Sequence, residues 1–198
     1  MLAKNKEAAR NLTNQFQSGA VAKTYLCICD RDSNHPIAVD TAFDIDLPIQ
    51  RSTDPLAPKF ARECGNSLED SKPAKTRFTI LSYTDHSALL QAEPLSGRTH
   101  QIRLHAAAAE YSIVGDNVYG REKVLFKTTE ELQQAADDPD KERFLYDDRL
   151  RCGLKLHAST LSFNHPRTQE PVTFSAPVLS HFAKYAQQQD LTIPESYR

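Results

Sequence analysis

Residues 78–95 read FTILSYT, then Asp85-His86, then SALLQAEPL: two strand-forming runs joined by only two residues. So short a connection joins antiparallel neighbours, because parallel strands need a crossover of about a dozen residues or more. The chain is thus committed to an antiparallel hairpin near its middle, and other segments extend the theme. VAKTYLCICD (21–30) alternates, with Tyr25, Cys27 and Cys29 pointing one way and Leu26 and Ile28 the other. One or two strands are expected in 37–49, and two more in 154–163 and 171–177, turned by Asn164-His165-Pro166. A helix is expected over 5–17, where Ala8, Leu12 and Phe16 repeat at the i, i+4 spacing and Gly19 suits the stop. A second is expected over 100–110 with Thr99 as N-cap, and a third in the tail through Leu179, Phe182 and Tyr185. Strands dominate, so the expected class is α+β, with a largely antiparallel or mixed sheet and flanking helices. Residues 50–76 hold prolines and charges without periodicity and read as an exposed excursion; 129–149 read as an acidic surface insertion within a single domain spanning 1–198.

Composition narrows the function classes. The chain carries 24 Lys and Arg against 26 Asp and Glu, a formal net charge of -2. Bulk positive charge, the usual footprint of a nucleic-acid binder, is therefore missing, and any such binding needs a local basic patch. No apolar run approaches the roughly 20 residues of a membrane helix, and Met1-Leu2-Ala3-Lys4-Asn5-Lys6 is followed by no apolar segment of secretory type. A cytoplasmic protein with no membrane partner is expected. Cys27, Cys29, Cys64 and Cys152 are too sparse for a disulfide scaffold and form no C-x-x-C pair, so they are expected reduced and mostly packed, without zinc.

The densest chemistry lies in Gly97-Arg98-Thr99-His100-Gln101-Ile102-Arg103-Leu104-His105. Two arginines and two histidines gather where a strand gives way to a helix, and helix starts favour anions. On composition alone this reads equally as a polar helix start with solvated charges. His100 and His105 do not share one helical face, which disfavours a paired metal site.

As written, PLSGRTHQIRLH closely resembles the hallmark motif of RluA-type RNA pseudouridine synthases. Other segments resemble that family in the same order along the chain. They are the Leu2-Ala3-Lys4 start and its helix, Lys23-Thr24-Tyr25-Leu26, Lys72-Pro73-Ala74-Lys75-Thr76, Ile113-Val114-Gly115-Asp116 with Tyr119-Gly120, Leu156-His157-Ala158, and Phe174-Ser175-Ala176-Pro177. The resemblance implies an isomerase that turns uridine into pseudouridine in structured RNA, ribosomal or transfer, with no cofactor and no metal. In that chemistry an aspartate attacks the nucleotide, the N-glycosidic bond breaks, the base turns and a C–C bond forms. The base must first leave its stack. Arg103 matches the arginine that pairs with the aspartate, and Tyr25 the tyrosine that stacks on the flipped base and assists proton removal at C5. Lys23 is carried over as a phosphate contact, and Arg98, His100 and Gln101 as RNA contacts, with a brace of the loop as the other reading for these three.

One departure matters. The family's aspartate lies in an H-R-L-D motif that would fall about eight residues before Met1 by motif alignment, and these 198 residues contain no such motif. The chain is expected to be a partial catalytic domain, inactive by itself, or else a non-catalytic RNA-binding or scaffold remnant. Oligomeric state is left open. Tyr25 and Arg103 are expected to face one cleft. Arg103 is expected to be partly reached by solvent, or to borrow a carbonyl or carboxylate, with Arg103→Met costing little stability.

Overall fold

The sheet is built outward from the strand whose alternation is clearest. In a computed structural model describing residues 2–31, 38–52, 62–64, 70–120 and 153–198, β1 (Ala22–Asp30) runs antiparallel to two neighbours. On one side is β6 (Ser87–Pro94), which pairs with β5 (Lys75–Tyr83) as the sequence requires, across Asp85-His86. β2 (Ala42–Asp46) closes that edge against β5. On the other side are the two-residue β7 (Ser112–Ile113), then β8 (Leu156–Asn164) and β9 (Pro171–Ser175). The order is β2-β5-β6-β1-β8-β9, with β7 also pairing β1 and every described ladder antiparallel.

Both faces of β1 are covered, which is why Leu26 through Cys29 are all buried rather than alternately exposed. Cys27 and Cys29 meet Phe78, Leu90 and helix α2 (Gln101–Ala108) on one face. Leu26 and Ile28 meet Phe182 and Ala186 of helix α3 (Ser180–Gln188) on the other, joined by Leu191 and Ile193 of the tail. Each such side chain, fully removed from water, stabilises by about 1.5–3 kcal/mol. The Tyr197 hydroxyl donates to Gln91 and ties the chain end to the sheet. Helix α1 (Lys6–Gln17) starts from an Asn5 cap that accepts the Ala8 N–H. It buries Leu12 against Val21 and Phe163, while Phe16 stays 45% exposed at the mouth of a cleft. Among the described residues no helix is long and apolar enough to cross a membrane.

The structure departs from expectation at two places. Residues 50–76 are not wholly an exposed excursion. β3 (Ile49–Arg51) and β4 (Arg62–Cys64) form a small antiparallel sheet, Lys72 pairs with Ile49, and Ala74 and Thr76 are buried. Ile49 and Ala74, packed with Leu104 and Tyr119, supply the apolar anchor that aperiodicity concealed. Helix α2 is capped by His100 rather than Thr99, with φ 58 and no side-chain cap bond. Finally, the 129–149 insertion lies outside the described residues, as does Cys152.

The turn after β7 leaves no room for a side chain at Gly115. Gly115 has φ +76, and a Cβ there would lie 2.4 Å from the Gly153 carbonyl oxygen. Gly115→Ala therefore combines a left-handed backbone with a backbone clash. It is expected to cost roughly 2–5 kcal/mol, since each effect alone costs about 1–3. Urea unfolding monitored by circular dichroism measures it; a loss below about 1 kcal/mol would mean that the turn relaxes easily.

Candidate active site

Lys23 and Tyr25 come from β1, and Arg98, His100, Gln101 and Arg103 from the loop after β6 and the start of α2. All six line one cleft of about 410 Å³, with Phe16 and Leu156 at its apolar side. Sheet order explains the meeting: β1 and β6 are neighbours, so the chain leaving β6 turns back over the end of β1. The β1–β8 ladder shifts register between Thr24 and Tyr25. Such irregularities re-aim a side chain, here at the point where the strand enters the cleft. Tyr25 is half-buried, and its hydroxyl has no hydrogen-bond partner among the described residues.

Arg103 is held by a carboxylate that the sequence reading did not assign. Its Nε donates to Asp116 Oδ2 at 2.7 Å and its Nη2 to Oδ1 at 2.6 Å, a bidentate pair. The Arg103 side chain is 14% exposed and that of Asp116 only 1%. The Tyr119 ring lies beneath the guanidinium, 4.9 Å from its centroid. Asp116 Oδ1 also accepts the N–H groups of Val118 and Tyr119, each at 2.9 Å. Burial pushes the Asp116 carboxyl up, but Arg103 and these two N–H groups outweigh it and hold it below its usual value. Arg103 Nη1 carries no bond among the described residues.

His100 donates or accepts through Nδ1 with the Tyr119 hydroxyl at 2.8 Å, and that hydroxyl accepts the Arg62 N–H at 2.8 Å. Burial, then Arg103 and Arg62, lower the His100 pKa, so its ring is neutral at pH 7. Lys23 donates from Nζ to the Ser96 carbonyl at 2.9 Å, and burial lowers its pKa. Arg98 is exposed, with Nε fixed to the Pro73 carbonyl at 3.0 Å. Of the two readings of Gln101, RNA contact or loop brace, its contacts favour the brace. It is 3% exposed, its Nε2 donates to Lys75 O and Thr76 Oγ1, and its Oε1 accepts from Ser96 Oγ and the Arg98 N–H. With donors and acceptor all engaged inside the protein, Gln101 is the brace of the loop. His105 is likewise internal, fully buried between Thr76 Oγ1 and the Leu47 carbonyl.

The residues missed by sequence reasoning are thus Asp116 and Tyr119. The Gly115-Asp116 turn was visible as a motif, and a buried arginine's need for a carboxylate was the available signal. The buried pair argues against the expectation that Arg103→Met costs little. Removing the guanidinium strands a buried carboxylate, an event that costs about 3–5 kcal/mol. Thermal and urea unfolding of Arg103→Met check this. The pair also sets an acid limit: a carboxyl lowered by folding contributes stability above its unfolded value of about 3.9, lost as pH falls through the lower folded value. Melting temperature should fall as pH drops below about 4, and Arg103→Met should flatten that acid dependence.

Residues 1–108, more than half the chain, match the RNA pseudouridylate synthase family. The ribosomal large subunit pseudouridine synthase C of Vibrio vulnificus is 26% identical over 187 residues, 94% of this chain and 50% of that protein. That of Haemophilus ducreyi is 30% identical over 181 residues, 91% of this chain and 48% of that protein. The chain therefore spans about half the length of the curated relatives it matches. Two human structures share the fold. RNA Pseudouridylate Synthase Domain Containing 4 has a TM-score of 0.65 at 22% identity, covering 96% of this chain and 70% of that one. RNA Pseudouridylate Synthase Domain Containing 1 has a TM-score of 0.60 at 25% identity, covering 96% and 74%. Sequence match and shared architecture agree: this chain belongs to the RNA pseudouridylate synthase family.

Proposed function

We propose that this chain is the base-binding part of an RNA pseudouridine synthase. The observation that carries the reading is the convergence of Tyr25 and Arg103 on one cleft, from elements distant in sequence. Tyr25 offers a half-buried ring and an unengaged hydroxyl, suited to stacking on a flipped uracil and to taking part in proton loss at C5. Arg103 offers Nη1 to a second carboxylate while Asp116 fixes the rest of the guanidinium. A nucleophilic aspartate beside it would stay ionised. The reaction needs no electrons from outside: the glycosidic bond from N1 breaks, a bond from C5 forms, and the C5 proton is lost as N1 gains one. Ribosomal RNA is the favoured substrate over transfer RNA, because several relatives are named for the large ribosomal subunit. An RNA substrate fits a cytoplasmic setting.

The nucleophile is not among these residues as we read them. H-R-L-D is absent from the 198 residues, and among the described residues no aspartate lines the cleft. Asp116 does not substitute, because its oxygens are engaged by Arg103 and two N–H groups and its side chain is buried. Incubation of the purified chain with total RNA, followed by chemical mapping, is expected to give no pseudouridine above the blank. New sites would point to an unrecognised nucleophile. A chimera joining an H-R-L-D-bearing segment of the family ahead of Met1 is expected to form pseudouridine. In it, Tyr25→Phe should keep RNA affinity and lower the rate about 10²-fold or more. An inert chimera that still binds RNA would favour the non-catalytic RNA-binding reading; a Tyr25→Phe chimera at full rate would remove the proton role of Tyr25.

A further inference from the structure

Beside the reactive cleft lies a second concavity of about 360 Å³ on the face of the small β3–β4 sheet. Arg51, Arg62, Lys72 and Arg98 line it, with Asp70 the one carboxylate among the described lining residues. Strand geometry puts these cations together. Ile49 and Arg51 are two apart on β3 and share a face; Arg62 is the cross-strand partner of Arg51, and Lys72 that of Ile49. Ile49 anchors the strand in the core, and Gln50, which also lines the concavity, donates from Nε2 to Glu63 Oε1 at 2.7 Å. The Arg51–Arg62 register therefore sets two like charges side by side, and a polyanion lowers their mutual repulsion whatever else each touches.

The two concavities meet at Gly97 and Arg98, which line both. Gly97 is not required there by packing: a Cβ would meet only Lys23 Nζ, at 3.9 Å, and its φ is not positive. The bare backbone leaves a low saddle between the clefts. The β2–β5 edge of the main sheet is differently arranged. Lys75 and Arg77 both pair with Asp44, at 3.0 and 2.9 Å, and hold its carboxyl down to about 2.

We propose that Arg51, Arg62, Lys72 and Arg98 form a phosphodiester track for the RNA strand flanking the base in the Tyr25 cleft. This rests on the RNA reading given above. The strand would cross the saddle at Gly97, placing its nucleobase against Tyr25 and its neighbouring phosphates on the small sheet, as a charged groove follows a backbone.

The test is salt-dependent binding of single-stranded RNA to the 198-residue chain, compared with R51Q/R62Q/K72Q and with Lys184→Gln, an exposed lysine on α3. Each cation that neutralises a phosphate contributes about 0.7 to the slope of log K against log salt on single strands. The triple variant should therefore lose about two units of slope. Across a four-fold rise in salt its affinity should fall roughly 16-fold less than that of the unaltered chain. Lys184→Gln should change nothing. The single variants Arg51→Gln and Lys72→Gln, both at exposed positions, should each lower the slope by about 0.7 and serve if the triple variant fails to fold. An unchanged slope in folded variants would overturn the track while leaving the isomerase reading intact. No RNA binding by the unaltered chain would overturn the track as well. Failure of the H-R-L-D chimera to isomerise, with the slope effects present, would remove the isomerase reading and leave the track standing. Equal reductions in slope with a random polyanion such as heparin, without any preference for RNA, would reduce the face to a general anion site and overturn the proposal.

Discussion

A carboxylate that is 1% exposed stays ionised only if its surroundings replace the water it has lost. At Asp116 that replacement is Arg103 on both oxygens and two backbone N–H groups on Oδ1. The N–H groups are available because the chain turns sharply at Gly115, where positive φ and the close pass of Gly153 exclude a side chain. The guanidinium is available because α2 begins at His100, whose left-handed backbone turns the chain into the helix over the end of the sheet. Tyr119 then fills the space beneath the pair and bonds to His100 and to the Arg62 N–H. The ion pair locks two segments, α2 and the turn after β7, and Tyr119 ties β4 to them through the Arg62 N–H.

The opposite wall is rigid for a different reason. β1 is covered on both faces, so Lys23 and Tyr25 project from a strand that cannot tilt without exposing Leu26 or Cys27. Between the walls runs the loop from Leu95 to His100, pinned by the Gln101 amide to Lys75, Thr76, Ser96 and Arg98. Gln101 therefore serves a ligand indirectly, by fixing where Arg98 and Gly97 stand.

What the sequence disclosed follows from which signals are local. The hairpin across Asp85-His86, the two-faced β1 and the tail helix were legible because alternation and turn length are properties of short segments. The RNA pseudouridine synthase resemblance was legible because its motifs carry residue identity as well as spacing. The Asp116 pairing was not, since a salt bridge between α2 and the turn after β7 leaves no periodic trace. Thr99 looked like the N-cap because threonine is a good one, but tertiary packing of His100 on Tyr119 moved the helix start by one residue. The small β3–β4 sheet escaped notice because three-residue strands are too short to show alternation, and only its partners reveal it.

Net charge was the weakest guide of all. A total of -2 argued against a nucleic-acid surface, yet charge acts through where it stands. Part of the acidic surplus lies in 129–149 and part neutralises cations in place, as Asp44 does for Lys75 and Arg77 on the β2–β5 side of the sheet. On the α2 side the balance reverses, with Lys23 and Arg98 at one cleft and Arg51, Arg62 and Lys72 at the next. Screening confines a surface charge to about 8–10 Å at physiological salt, so an approaching polyanion is governed by the face it meets and not by the sum over the molecule. A mildly acidic net charge is thus compatible with a locally cationic face, because the sign of the sum does not fix the sign of each surface.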